Sequence, residues 1–176
     1  LHVPHLSSGP RHLSEFRALA ACGGFSYGDV LGAGGGWAKA ILFDERLRQQ
    51  FVDFFASDAL TLGICNGCQM LSQLRELIPQ AESWPSFVRN RSEQFEGRTV
   101  MVRVENNASP WLADMVGSVM PVVVAHGEGR AEFAGVDPAQ MAAREQAAFR
   151  FVDAQHQIAK LYPDNPNGAP DGLAGL

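Results

Sequence analysis

The chain has 176 residues, of which 46% are hydrophobic, so it is long enough for one globular domain with a sizeable core. Its formal net charge of −5 argues against nucleic acid as an obligate partner. The longest apolar runs are too short to cross a bilayer, and no signal-peptide pattern opens the chain, so neither a membrane span nor secretion is expected. Three cysteines without framework spacing fit a reducing cytoplasm.

The first third of the chain predicts alternating strands and helices. Residues 13–16 form a short helical candidate, residues 16–22 a buried strand, and residues 37–55 a long amphipathic helix. This alternation is typical of parallel strands joined by crossover helices. The glycine-rich stretches at 23–29 and 32–36 are either flexible loops or open backbone beside the carboxyl end of a strand, where open α/β sheets bind ligands. They lack the G-x-x-x-x-G-K-[ST] phosphate-binding pattern.

Residues 60–71 (LTLGICNGCQML) are the stretch around which the chain is organised. A short apolar strand ends near Gly63, and a helical pattern begins within a few residues. Cys65 falls in the turn, with Gly63 and Gly67 on either side. Glycines let neighbouring backbone approach such an elbow closely, and the helix that follows directs its positive end at the sulfur. Both features favour a thiolate, so the pattern predicts that Cys65 is a nucleophile.

The spacing of Cys65 and Cys68 permits other interpretations. C-x-x-C before a helix also resembles a redox dithiol or half of a zinc site. A zinc site would need two more ligands, and Cys22 and His126 are candidates by residue type, although they lack tight spacing. A small buried residue in the first helical turn is the simpler interpretation of Cys68. The glycines around Cys65 favour the nucleophile, because a redox dithiol does not need them.

The second half of the chain predicts further strands. Residues 84–92 mix aromatic and basic residues and are read as a solvated strand edge or a contact for an anion or partner. Residues 95–104 alternate as a strand with one polar face, and residues 120–125 form a buried strand. Helices are expected to begin at 109–111 and to span 138–147, a strand is expected at 149–153, and a turn-rich loop at 162–172.

The strand at 120–125 leads into His126, Gly127 and Glu128. In an extended chain the His126 and Glu128 side chains would lie on the same face, as a base and its carboxylate partner for Cys65 would require. A lone histidine at a strand end is more commonly hydrogen-bonded and structural. The flanking glycines favour a binding site.

Residues 63–69 (GICNGCQ) resemble the G-[IV]-C-x-G-x-Q elbow of glutamine amidotransferases that have a Cys-His-Glu triad. Residues 23–29 (GGFSYGD), 89–92 (RNRS) and 126–130 (HGEGR) resemble the glutaminase domains of phosphoribosylformylglycinamidine synthases, a family of purine biosynthesis, over essentially all 176 residues. Residues 32–39 (GAGGGWAK) and 74–79 (LRELIP) point to the large single-chain form, although Gly35 stands where an acidic residue is usual.

The resemblance implies roles for individual residues. Cys65 corresponds to the nucleophile that attacks the side-chain amide of L-glutamine, and Gly24 and Asn66 correspond to the N–H donors of the oxyanion hole. Substrate-binding positions correspond to Gln69, His126, Gly127 and Glu128. The domain itself is expected to need no metal or cofactor. ATP and magnesium belong to the synthetase part, to which ammonia passes.

The family carries its catalytic His and Glu in a Pro-His-Pro-Glu motif downstream of an Asn-Pro-Asn-Gly loop, which is found here at 165–168. The motif is absent from these residues, so the catalytic His and Glu are expected beyond residue 176. The first strand and helix are expected upstream, which would make residues 1–176 an incomplete amidotransferase domain. Its expected fold is a three-layer α/β structure with a mostly parallel sheet, crossover helices and a strand–nucleophile elbow–helix unit.

Two functional alternatives accompany this interpretation. A non-catalytic α/β domain could dock on the synthetase and support it. A cysteine hydrolase could share the elbow and act on another substrate. The principal expectation is a cytoplasmic glutaminase domain whose partners are L-glutamine and the synthetase domains of the same full-length chain, with no nucleic acid and no membrane.

Overall fold

A computed structural model describes residues 3–26, 28–135 and 137–176. Leu1, His2 and Tyr27, the last of them within the GGFSYGD stretch, lie outside the described residues. The chain forms two compact units, Leu1–Ser86 and Phe87–Leu176. In the described part of the chain, no helix is both long enough and apolar enough to cross a membrane.

The described residues of the first unit form a parallel strand pair and four α-helices. Strand β1 (Ala18–Ala21) pairs in parallel with β2 (Leu60–Gly63), which confirms the parallel connection predicted for this part of the chain. The helices are α1 (Val3–Ser7), α2 (Gly35–Leu42), α3 (Glu45–Phe55) and α4 (Asn66–Gln73). Short 3-10 helices cover Leu13–Glu15, Asp29–Leu31 and Arg75–Leu77.

The two faces of the β1–β2 pair differ in burial. Ala21 is buried, and its face of the pair packs in the core with α4. Ala18 and Ala20 are exposed on the opposite face, together with Leu60 and Leu62 of β2, with which they pair in register. The prediction of a fully buried first strand is therefore wrong, because only one face of this pair is covered by the unit's helices.

The helix predicted at 37–55 is two helices. Helix α2 begins earlier, at Gly35, and ends at Leu42, and α3 starts at Glu45. Asp44 between them has extended backbone (φ −103°, ψ 110°), and its side chain accepts a hydrogen bond from the Leu47 N–H at 3.0 Å. An aspartate N-cap satisfies a free N–H of the new helix, so the chain restarts its helix here although the apolar pattern continues.

The second unit is built on an antiparallel sheet. Its four strands have the order β5-β4-β7-β8: β4 (Glu96–Val104), β5 (Val119–His126), β7 (Phe149–Val152) and β8 (Leu173–Gly175). A separate pair joins β3 (Ser86–Val88) and β6 (Arg130–Glu132), and α5 covers Ala139–Ala143. The chain is thus an α/β protein with mixed sheets, and the described strands do not form one mostly parallel sheet.

Strands at 95–104, 120–125 and 149–153 are confirmed in the second unit, with other details corrected. Strand β5 is an edge strand whose Val124 is buried and whose Val123 is exposed, so it is not buried throughout. The expected helix start at 109–111 is a turn that leads to a three-residue 3-10 helix at Ala113–Met115. Helix α5 is shorter than predicted, and β8 lacks a sequence prediction.

A buried glutamine ties the N-terminal segment to α3. The Gln50 Nε2 donates to Leu6 O at 3.0 Å, and its Oε1 accepts from the Leu13 N–H at 3.1 Å. We expect Gln50→Ala to lower the free energy of unfolding by about 1–3 kcal/mol, because it leaves buried backbone groups without partners. Urea unfolding of the protein measures this change.

The neighbouring Gln49 is the matched control. Its Nε2 donates only to Asp53 Oδ1 on the exposed side of the same helix. Gln49→Ala should change the free energy of unfolding by less than about 0.5 kcal/mol. Equal losses in the two variants would contradict a specific anchoring role for Gln50.

Candidate active site

Cys65 occupies a strained turn between β2 and α4. Its backbone angles are φ 53° and ψ −116°, and its side chain is exposed. A positive φ in a residue with a side chain costs about 1–3 kcal/mol and persists only where the surroundings enforce it. Such a strand-to-helix turn presents a nucleophile at the carboxyl edge of a sheet. The strand, elbow and helix predicted around Cys65 are confirmed.

The two glycines around Cys65 allow α4 to lie against both strands. A Cβ on Gly63 would stand 3.0 Å from the Cys68 Cα, and a Cβ on Gly67 would collide with the Ala21 carbonyl oxygen. The contact at Gly67 excludes any side chain, and a side chain at Gly63 would require its neighbours to shift, so both positions favour glycine. Their role in close backbone approach, predicted from the sequence, is confirmed.

The environment of Cys68 differs from that of Cys65. All three thiols are free. Burial, and secondarily the nearby Cys65, raise the pKa of Cys68 to about 12, so Cys68 remains a neutral thiol near pH 7. In the described part of the chain, no three His, Cys, Asp or Glu side chains cluster as a metal site. Cys68 therefore fits a small buried structural residue better than a zinc ligand or a member of a redox dithiol.

The loop that carries Gly24 lies against the elbow. A Cβ on Gly23 would stand 3.0 Å from the Cys65 Cβ. The Asn66 side chain is buried, and its Nδ2 donates to the Gly24 carbonyl oxygen at 2.7 Å. Among the described residues, the backbone N–H groups of Gly24 and Asn66 have no protein acceptor. The structure thus brings Gly24 and Asn66 together beside Cys65.

Gln69 lies in the first half of α4. Its side chain is buried, and its backbone N–H donates to the Cys65 carbonyl oxygen at 3.1 Å. The second glycine stretch packs on the same part of the helix, because a Cβ on Gly34 would stand 2.5 Å from the Met70 nitrogen. Gln69 therefore lies one helical turn after the nucleophile and is hydrogen-bonded to its backbone.

Asp29 belongs to this site and was missed by the sequence analysis. Its carboxylate accepts hydrogen bonds from the Ser26 N–H, the Ser26 hydroxyl, the Gly34 N–H and the Asn66 Nδ2 at 2.6–3.1 Å. Burial alone would raise the pKa of Asp29, but these hydrogen bonds outweigh it and lower the pKa below its ordinary value. The sequence gives no periodic or spacing signal for this role; Asp29 only ends the GGFSYGD stretch.

In the second unit, His126 closes strand β5 opposite Glu96. Burial lowers the pKa of His126, and the backbone of His126 and the charge of Glu96 oppose this shift only in part. Its Nδ1 is buried without a hydrogen-bond partner among the described residues. The chain bends at Gly127 and Glu128, so the extended geometry that would align His126 with Glu128 is not present. No carboxylate holds Nδ1, as a histidine–carboxylate base would require.

Asn90 holds the segment that follows His126. Its Nδ2 donates to the His126 carbonyl oxygen at 2.8 Å, its Oδ1 accepts from the Gly129 N–H at 3.1 Å, and its own N–H donates to the Gly127 oxygen at 2.9 Å. The Asn167 Nδ2 adds a bond to the Gly129 oxygen at 2.6 Å. Both asparagines are buried. In the sequence, Asn90 and Asn167 stand out only as parts of motifs, and no local pattern indicates this task for either.

Two comparisons relate this chain to known proteins. A solved structure of PurLQS from Thermotoga maritima is similar, with a TM-score of 0.66 and 23% identity. The similarity covers 93% of this chain and 64% of that one, so this chain spans less than two thirds of the length of its structural relative. At this identity, the likeness confirms the α/β fold.

The family model for the CobB/CobQ-like glutamine amidotransferase domain matches residues 1–176. Its match extends over the elbow of Cys65, the loop of Gly24 and the segment after His126 alike. The chain therefore belongs to the CobB/CobQ-like glutamine amidotransferase domain family.

Proposed function

We propose that this chain is the glutaminase part of a phosphoribosylformylglycinamidine synthase. It hydrolyses L-glutamine through a thioester on Cys65 and supplies ammonia for the ATP-dependent conversion of formylglycinamide ribonucleotide to formylglycinamidine ribonucleotide. The observation that carries the proposal is the strained backbone and the exposed side chain of Cys65 at the start of α4, with the loop of Gly24 against it.

The chemistry has two steps. The Cys65 thiolate bonds to the side-chain amide carbon of glutamine, and the carbonyl oxygen becomes an oxyanion. The C–N bond then breaks, and ammonia leaves after its nitrogen has gained a proton. A water molecule next attacks the glutamyl thioester, so that glutamate and the free thiol are released. Division of one difficult step into two easier ones is the benefit of covalent catalysis.

The N–H groups of Gly24 and Asn66 are the proposed donors to the oxyanion. Asn66 is the residue after the nucleophile, and the helix that it begins adds the positive end of its dipole at the same point. Gly24 has a positive φ of 98°, which a glycine adopts without strain. Preorganised donors of this kind are worth about 10²–10³-fold in rate each.

Glutamine recognition is proposed for Gln69 and for the segment His126, Gly127 and Glu128. Gln69 is fixed on α4, directly after the elbow. The His126 segment is fixed by the bonds from Asn90, which leave Gly127 with open space on its side-chain face. These assignments rest on the family resemblance, and the backbone hydrogen bonds at each place support them.

The base for Cys65 is proposed to be a His–Glu pair of the family's Pro-His-Pro-Glu motif, which these 176 residues do not contain. His126 is not proposed as that base, because its Nδ1 has no carboxylate partner among the described residues.

The whole-protein role is part of the same proposal. Ammonia passes to synthetase domains of the same full-length chain, where ATP and magnesium activate the acceptor amide; no residue of this chain is proposed to hold either. A cytoplasmic location is consistent with the free thiols. We also propose the family's three-layer α/β structure with a mostly parallel sheet. In it, a further layer would cover the exposed face of the strand pair, which is formed by Ala18, Ala20, Leu60 and Leu62.

Selective labelling tests the nucleophile. A glutamine analogue with a diazo-ketone group should alkylate Cys65, and excess L-glutamine should protect it. Cys68 should stay unlabelled because its raised pKa keeps it a thiol. Exposed Cys22 is the internal control, since iodoacetamide should reach Cys22 but the glutamine analogue should not. Peptide mass spectrometry locates the label, and a label mainly on Cys68 would overturn the assignment.

A second prediction separates binding from proton transfer at His126. In the natural protein that contains this domain, His126→Ala should raise KM for glutamine about 10- to 100-fold, the value of a hydrogen bond to a charged group. The kcat should change little, because binding is the proposed task. Steady-state glutaminase kinetics measure both constants. Loss of kcat at unchanged KM would instead make His126 the base.

The same assays discriminate the alternatives. A docking domain would show no turnover of glutamine that depends on Cys65, whereas a cysteine hydrolase of other specificity would be labelled by iodoacetamide but not protected by glutamine. Glutamine-dependent synthesis that is lost in Cys65→Ala, while synthesis from free ammonia persists, is the result expected here.

A further inference from the structure

The Asp29 carboxylate joins three segments around the elbow. It accepts from the backbone and hydroxyl of Ser26 in the first glycine loop, and from the Gly34 N–H in the second. It also accepts from the Asn66 Nδ2 at 2.8 Å. One side chain therefore fixes the two loops relative to the first residue of α4.

Asn66 extends this connection to Gly24. The two Nδ2 hydrogens of Asn66 are both used, one toward Asp29 Oδ2 and one toward the Gly24 carbonyl oxygen. The Asn66 Oδ1 is buried and has no partner among the described residues. A flipped amide would turn this oxygen toward two other oxygens, so the Asp29 carboxylate selects the orientation that holds Gly24.

We propose that Asp29 is a positioning residue of the glutaminase reaction, which acts through Asn66 to hold the N–H groups of Gly24 and Asn66 in place for the oxyanion. The inference deepens the proposed function and rests on it. Asp29 itself touches neither the substrate nor the sulfur in this mechanism. Its effect is geometric, and a displacement of about 1 Å in a catalytic group can cost about 10²-fold in rate.

The test is Asp29→Asn in the natural protein that contains this domain. The substitution keeps the shape but replaces one acceptor oxygen by a donor that faces other donors. We expect kcat for glutamine hydrolysis to fall about 10- to 100-fold, while KM changes less than about 3-fold. A displaced oxyanion hole stabilises the transition state less but leaves the binding of glutamine in the ground state nearly unchanged.

Asp44→Asn is the matched control. Asp44 also accepts a backbone N–H, but as the N-cap of α3, where asparagine serves equally well. Its kcat should remain at the wild-type value. A similar fall in kcat in both variants, or an unchanged kcat in Asp29→Asn, would overturn the proposal. A rise of KM without loss of kcat would assign Asp29 to loop structure alone and would also overturn it.

A double-mutant cycle tests the path through Asn66. Asn66→Ala keeps the backbone N–H but removes the bonds to Asp29 and Gly24, so it should lower kcat by a factor similar to that of Asp29→Asn. The double variant should be little slower than either single variant, because both break one chain of hydrogen bonds. Additive losses would contradict the proposed path.

Two further outcomes keep the tests distinct. If Asp29→Asn does not fold, as thermal unfolding reveals, Asn66→Ala tests the same connection, and a normal kcat in that variant contradicts the proposal. If the wild-type protein lacks glutaminase activity that depends on Cys65, the proposed function fails. If the wild type is active and Asp29→Asn retains its kcat, the role of Asp29 alone fails.

Discussion

The site depends on the close approach of α4 to the two parallel strands. This approach depends on the missing side chains of Gly63 and Gly67: a Cβ on Gly67 would collide with the Ala21 carbonyl oxygen, and one on Gly63 would stand 3.0 Å from the Cys68 Cα. The short turn between strand and helix then forces Cys65 into a positive φ, which places its side chain outside the packed backbone. Strain at Cys65 and tight packing at the glycines are two consequences of one arrangement.

The same constraint explains the polar network beside the elbow. A turn held only by close packing would leave the glycine loops free to move, because glycine imposes little backbone preference. Asp29 and Asn66 replace that missing preference with hydrogen bonds that run from loop to helix to loop. In the second unit, Asn90 does the equivalent for the segment after His126, whose glycines are equally permissive.

Sequence reasoning succeeded where the cause is local. The elbow around Cys65 was predicted because glycines, an apolar strand and a helical period all lie within a dozen residues. It failed at Asp44, whose local helix cap is hidden in an otherwise continuous amphipathic pattern. It also failed where distant contacts decide, as at the exposed face of β1, which depends on what packs against it. The antiparallel sheet of the second unit also overrides the expectation of parallel strands.

The site residues divide in the same way. Gly24 and Asn66 were assigned by resemblance, and the structure places both beside Cys65, whereas Asp29 and Asn90 could be recognised only from their bonding partners, which lie up to 39 residues away. His126 and Glu128 have the spacing of a catalytic pair, but the bend at 127–128 and the unpartnered Nδ1 distinguish them from one. Spacing in sequence describes a pair only while the backbone between its members stays extended.

The central claim is that Cys65 forms a covalent glutamyl thioester. Its most direct test mixes the natural protein with radiolabelled L-glutamine, quenches the reaction in acid within a turnover, and maps the labelled peptide. The account predicts a hydroxylamine-sensitive glutamyl adduct on Cys65, absent from Cys65→Ala. Glutamine turnover with no adduct on Cys65, or with an adduct on another residue, would contradict it.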